Sequence, residues 1–295
     1  MLVALPYFTL VTVGPVFAAD TGENYPSFCQ KMTKWLWVAL ILEALSGGAW
    51  FWLTAAQMSD QSPWGMLDPA VLNTVLGQTQ FGQLWLGRAV IGAVLGVALF
   101  FLSRGKAASL LRPSFLNWLL LALSGCLLIS LAWAGHAAAG IHHHGLHLLA
   151  DTLHLLIGSV WPMGLIPLAC FLWHIDRRQQ PLSADRKIKA LQRFSNMSLG
   201  AVLILVATGF INGWLMVGSW EALVTTTYGR LLLGKVLVVA IMIGLGAFNR
   251  LCLLPHIQAA PLKLQTLRRT ILAESGLALV VLMIVGMMGM TSPPS

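Results

Sequence analysis

The sequence predicts an all-α polytopic membrane protein of eight transmembrane helices with both termini outside. Three observations carry that expectation. Of 295 residues, 57% are hydrophobic and only 9% charged, with a mean hydropathy of +0.78, whereas soluble domains carry about 25% charged residues. The apolar residues fall into runs near the roughly 20 residues that a helix needs to cross a bilayer. The cationic residues, finally, alternate from loop to loop. Together these exclude a soluble enzyme, a secreted disulfide scaffold and a disordered chain. The net charge of +8 does not imply nucleic acid, because cytoplasmic loops of membrane proteins retain Lys and Arg.

Read between polar breaks, the spans fall at 1–19, 34–56, 82–102, 115–135, 148–173, 194–217, 231–249 and 271–290. The first ends in Val16-Phe17-Ala18-Ala19, as a cleaved signal peptide can. It lacks a cationic n-region, however, and its removal would invert every later loop against its charge, so it is read as a retained helix. Lys31 and Lys34 precede span two, and Arg104, Lys106 and Arg112 follow span three. Arg177, Arg178, Arg186, Lys187, Lys189 and Arg193 separate spans five and six, and Arg250, Lys263, Arg268 and Arg269 separate seven and eight. These 15 of the 18 cationic residues share one side, which the positive-inside rule makes the cytoplasm. Loops this short leave no room for a globular or nucleotide-binding unit, so residues 1–295 form one integral membrane domain.

Spans three and seven open alike. Thr79-Gln80-Phe81-Gly82-Gln83-Leu84-Trp85-Leu86-Gly87-Arg88 and Thr226-Thr227-Tyr228-Gly229-Arg230-Leu231-Leu232-Leu233-Gly234-Lys235 match without a gap at Thr, aromatic, Gly, Leu, Leu, Gly and cation. These are equivalent positions if four spans were duplicated in parallel, giving repeats 1–140 and 141–295. Arg88 and Lys235 then lie one or two turns inside the outer boundary, where a cation must snorkel or find an anion.

Six of the eight histidines lie between 136 and 154: His136, His142, His143, His144, His147 and His154. They occupy the end of span four, an outer loop and the first turns of span five. In span five His147, Asp151 and His154 stand at i, i+4 and i+7, so a helix stacks them on one face. Imidazole and carboxylate at that spacing can share a metal ion, with His136 arriving from the adjacent helix and His143 from the loop. Asp151 and His154 are also titratable groups at membrane depth, which usually marks a site or an ion path. His174 and His256 receive no role. Imidazole alone does not choose among Zn, Cu, Ni and Fe, whereas the thioethers of Met163, Met287 and Met290 favour Cu(I).

The remaining signals are weaker. Cys29, Cys126, Cys170 and Cys252 show no CxxC spacing and lie in or near the spans, so they are read as free thiols. Gly158, Pro162, Gly164 and Pro167 predict a kinked or loosened span five below the histidine face. Glu43 in span two and Glu274 in span eight are buried acids that Arg88 or Lys235 can neutralise.

At this point the residues resemble the copper resistance protein D family (CopD or PcoD, with YebZ-like relatives). The resemblance rests on Thr79-Gln80-Phe81-Gly82, on Gly135-His136-Ala137, and on His147 through Asp151 and His154 to Trp161. It continues through Thr227-Tyr228-Gly229-Arg230 with Lys235, then Asn249-Arg250 and Pro255. Where relatives commonly show Trp-x-Gly-Gly, this chain has Trp161-Pro162-Met163-Gly164. The resemblance implies an eight-helix inner-membrane protein that moves copper, as Cu(I) or Cu(II), inward, beside a small periplasmic copper-binding protein of the CopC type. The leading expectation is therefore a non-enzymatic permease that captures copper at His136, His147 and His154 with Asp151. Asp151 and Glu43 are its candidates for proton coupling. The alternatives are a haem- or quinone-linked redox bundle, which needs His pairs on facing helices, and a copper sensor or scaffold that binds without transport.

Overall fold

The computed structural model describes residues 1–17, 26–65, 68–104, 110, 114–134, 144–177, 184–257 and 261–291. Every regular element among them is helical. Seven helices are long and apolar enough to cross a membrane: α3 (Pro26–Met58), α5 (Gln80–Arg104), α6 (Phe115–Ala134), α7 (His144–Arg177), α8 (Ala184–Val217), α10 (Thr227–Phe248) and α11 (Pro261–Gly289). They correspond in order to expected spans two to eight. Beyond Phe248, α10 continues through a π-helical turn, Asn249–Leu253, and a short 3-10 turn, Leu254–His256.

The described part of the expected first span, residues 1–17, holds a helical segment of less than crossing length. It consists of α1 (Ala4–Tyr7), a π-helical turn (Phe8–Val13) and α2 (Gly14–Phe17). At 1.5 Å per residue this segment reaches about 21 Å, against a hydrocarbon thickness near 30 Å. Most of its side chains face protein: Leu5, Phe8 and Val13 are buried, and the Phe8 ring meets Phe171 and Phe194 edge-on. The Arg193 guanidinium donates twice to the Val11 carbonyl, at 2.9 and 3.2 Å. The described part of this apolar run is thus packed into the bundle core.

The central helix is α7. Half of its most apolar stretch is buried, against 6% for α10, because α7 packs against α6, α8, α11 and the N-terminal segment together. Pro162 and Pro167 sit inside it, yet the helix runs unbroken from His144 to Arg177, so the expected loosening does not become an unwound segment. Each proline withholds one N–H, which leaves the carbonyls of Gly158 and Met163 without their i+4 donor.

Two short helices, α4 (Pro69–Gln78) and α9 (Trp220–Thr225), precede α5 and α10. In each case a threonine in extended conformation turns the corner. The Thr79 hydroxyl donates to the Val75 carbonyl (2.6 Å) and accepts from Gly82 N–H (2.9 Å). The Thr226 hydroxyl donates to the Ala222 carbonyl (2.6 Å) and accepts from Gly229 N–H (3.0 Å). The glycines are required by close approach: a Cβ at Gly82 would strike the carbonyls of Val75 and Leu76, and one at Gly229 those of Ala222 and Leu223. The intervening aromatics point inward, Phe81 onto Trp50 and Phe51, and Tyr228 onto Val217 and Met288.

Candidate functional site

Nine residues beyond each corner threonine stands a cation, about 13 Å along its helix. The first is neutralised. Arg88 pairs with Glu43 of α3 at 3.0 Å and donates to the Ser130 hydroxyl (2.6 Å) and the Leu127 carbonyl (2.8 Å) of α6. Trp50 lies 6.0 Å from the same guanidinium.

The second cation has a different environment. Lys235 Nζ lies 3.4 Å from His154 Nε2, and His154 Nδ1 lies 3.0 Å from the Thr208 hydroxyl of α8. An ammonium offers only donors, so Nε2 is the accepting nitrogen and the proton on Nδ1 goes to Thr208. Gly209 makes room for the ring, since a Cβ there would lie 3.2 Å from Cε1 of His154. One turn above, Asp151 lies within Coulombic reach of both His147 and Lys235. Asn212 of α8 places its Nδ2 3.5 Å from Asp151 Oδ1, while its own Oδ1 is buried with no hydrogen-bond partner among the described residues. His147, on the same face, is 8% exposed. Thus α7, α8 and α10 bring together an imidazole lone pair, a carboxylate, an amide oxygen and an ammonium in largely apolar surroundings.

Of the expected ligands, α7 does bring His147, Asp151 and His154 to one face. No group of three His, Cys, Asp or Glu side chains able to hold a metal ion is found among the described residues. His136, His142 and His143 lie outside them, and so does the His144 side chain. Met163 lies nine residues past His154, half a turn round the helix and about 13 Å along it, in the main apolar core. Met287 and Met290 are exposed on the bundle surface, whereas Met288 turns inward against Tyr228, whose hydroxyl donates to Met216 Sδ at 3.1 Å. Glu43, a candidate for proton coupling, is committed to Arg88. The four cysteines are free. His147 and His154 share one helix, so among the described residues they form no facing pair of the kind haem ligation requires.

Sequence reasoning missed Thr208, Gly209 and Asn212. Their only signal is a small, polar stretch in an otherwise apolar span, at the spacing that puts Thr208 and Asn212 on one face.

Towards the cationic end, the same helices and α11 enclose a cavity of about 340 Å³. Its upper wall includes Trp161 and Val202, two turns or less below His154 and Thr208. Between the two lies an apolar plug in which Leu205 packs 3.8 Å from where a Cβ on Gly158 would stand.

Comparison with known proteins agrees with this architecture. Residues 188–288 match the family described as Copper resistance protein D, and residues 4–144 match the Copper resistance protein D-like N-terminal domain. The chain is 31% identical to Copper resistance protein D of Pseudomonas syringae pv. tomato, over 82% of this chain and 77% of that protein. It is 31% identical to Inner membrane protein YebZ of Escherichia coli, over 65% of this chain and 61% of that protein. To Copper transport protein CutJ of Bacillus subtilis it is 30% identical, over 63% of this chain but only 33% of that protein. No solved structure matches it at a significant level. With seven apolar crossing helices, paired corners and these relatives, the chain belongs to the copper resistance protein D family and is a multi-pass inner-membrane protein.

Proposed function

We propose that this protein takes a copper ion at the histidine end of the bundle into the pocket between α7, α8 and α10 and carries it towards the cationic, cytoplasmic end. The observation that carries this reading is the cluster of Asp151, His154 and Lys235 inside the bundle. Asp151 and Lys235 stand beside the neutral His154 among apolar helices, where each charge costs roughly 2.5–3.5 kcal/mol on insertion scales. Such groups gathered within the bundle, two turns or less from the Trp161 and Val202 wall of the cavity, are the arrangement expected of an ion path.

In this reading His147, Asp151 and His154 supply donors from α7, and His136 and His143 supply imidazoles from the preceding segment. Lys235 holds His154 Nε2 until a copper ion takes its place. The nitrogen and oxygen donors of the pocket suit Cu(II), while the thioethers of Met163, Met287 and Met290 would suit Cu(I). A CopC-type periplasmic protein would deliver the ion at the histidine segment. The reading is of a carrier, not an enzyme. The duplication of a four-helix unit, 1–140 and 141–295, belongs to the same proposal and is supported by the two corners with their identical hydrogen bonds.

Metal analysis of the purified protein, followed by copper uptake into proteoliposomes, tests it. The combined substitution His136→Ala, His147→Ala and His154→Ala is expected to abolish both binding and uptake. Binding that survives all three changes overturns the site. A parent protein that binds copper but never accumulates it replaces the carrier with a sensor or scaffold.

A further inference from the structure

The cavity at the cationic end contains a group that the copper pocket does not use. Glu274, in the middle of α11, is 2% exposed and lines this cavity with Trp161, Ile243, Gly246 and Arg250. Its Oε1 accepts from Asn249 Nδ2 at 2.5 Å, and the Asn249 Oδ1 lies 2.5 Å from the Thr270 hydroxyl, which fixes the amide so that its N–H side faces the acid. Its Oε2 lies beside Gly246, 3.7 Å from where a Cβ on that residue would stand. Among the described residues no cation is paired with Glu274, unlike Glu43, which pairs with Arg88.

The charged groups around Glu274 are few. From α10, Arg250 lines the cavity but donates to the Ser195 hydroxyl (2.7 Å) and Asn196 Oδ1 (3.0 Å) of α8. The α8 wall adds Ser195 and Ser198, and the α7 wall Trp161, Leu165 and Leu168. On α11 itself Arg268 reaches away, to the Leu172 carbonyl of α7. Lys235 stands about 21 Å up α10 from Asn249.

A carboxyl so placed has two options in a membrane: to bind a cation or to stay neutral. A transition metal needs three or more donors, and no such group of His, Cys, Asp and Glu occurs here among the described residues. The cation that a single carboxyl binds well is the proton. The cavity supplies the route, and the adjoining π-helical turn Asn249–Leu253 is of the kind that recurs at functional sites.

We propose that Glu274 is a proton-binding site that opens through this cavity to the cationic end of the bundle, and that it couples ion movement to a proton. The coupling rests on the transport reading above; the proton site does not. In the step itself the O–H bond of the Glu274 carboxylic acid breaks, its proton passes to water in the cavity, and the carboxylate left behind keeps the Asn249 N–H bond. Reprotonation reverses it, and no electron moves.

Two measurements separate the claims. Infrared difference spectra of the full-length protein in nanodiscs, recorded without copper across a pH series, should show the C=O stretch of a buried carboxylic acid lost as pH rises. That band should be absent from Glu274→Gln and shifted in Glu274→Asp, which keeps the acid should the amide variant fold poorly. An unchanged titrating band in Glu274→Gln, or an unshifted one in Glu274→Asp, overturns the proton site. In proteoliposomes, wild-type copper uptake should respond to internal pH, and Glu274→Gln should bind copper normally but lose that response. An identical response in both proteins overturns the coupling. If the wild type moves no copper at all, the transport reading and the coupling fall, while the infrared result still decides the proton site.

Discussion

Arg88 and Lys235 stand at the same distance from identical corners, yet one is locked and the other is available. Arg88 spends its guanidinium on Glu43, Leu127 and Ser130, three acceptors from two helices. A planar fork suits such fixed, multiple recognition. Lys235 has a neutral imidazole as its hydrogen-bond partner and a carboxylate one turn away. A compact ammonium on a flexible stem can leave that place when another cation arrives. The corner therefore sets where a charge enters the bundle. Its partners decide whether that charge is a fastener or an occupant.

The comparison breaks first at the corners themselves. Gly82→Ala and Gly229→Ala should both destabilise the protein severely, because the new methyl meets backbone carbonyls that cannot move without losing a helix turn. Each should cost at least the upper end of the roughly 1–3 kcal/mol typical of overpacking. Folded yield and thermal unfolding in detergent should fall alike for the two variants. A corner that tolerates alanine while the other does not would mean that they are not equivalent.

Beyond the corners the two halves should diverge. Removing one partner of a buried pair costs about 3–5 kcal/mol, whereas replacing both with apolar groups is often near neutral. Glu43→Gln should therefore lower stability by about 3 kcal/mol, and Glu43→Leu with Arg88→Met should recover most of that loss. Neither change should alter copper binding. Lys235→Met should do the reverse. Like charges 4 Å apart repel by about 4 kcal/mol at an effective dielectric of 20, and if rearrangement relieves about two thirds of that, copper affinity rises about tenfold. Lys235→Arg keeps the charge and should show no such gain. Isothermal titration with copper and thermal unfolding on the same four proteins place each effect in its half.

How much of this was legible beforehand follows from what hydropathy and spacing encode. Seven crossing helices were readable because length and apolarity are properties of contiguous residues. Seven of the eight expected spans have a described helix of crossing length, and hydropathy alone did not reveal that the described part of the first packs against Phe171 and Phe194. The face of His147, Asp151 and His154 was legible from helical periodicity alone. Which acid meets which base was not: Glu43 and Arg88 are 45 residues apart, and Glu274 receives an amide, Asn249, instead of a cation. The methionines show the same gap. Met287, Met288 and Met290 are equally apolar, and only packing turns Met288 inward.

The finest contrast lies in two hydroxyls. Ser130 and Thr208 each hold a side chain of the polar cluster in their half, the first accepting from Arg88 at 2.6 Å and the second from His154 Nδ1 at 3.0 Å. Each also donates to its own helix, Ser130 to the Leu127 carbonyl and Thr208 to that of Ile204, so its lone pairs face the partner. Ser130→Ala and Thr208→Val should each cost about 1 kcal/mol, the net worth of one such bond. The cost should appear in different places. In Ser130→Ala, Arg88 keeps two other acceptors, so the loss should register in thermal unfolding alone. In Thr208→Val the imidazole loses the bond that fixes Nδ1 as the protonated nitrogen, and the tautomer presenting Nε2 to a metal loses its advantage. Copper affinity should then fall about fivefold, the equivalent of that 1 kcal/mol, with Thr208→Ser restoring it. Equal affinity in the wild type and Thr208→Val would mean that His154 does not bind through Nε2, and that Lys235 does not occupy the place a copper ion takes.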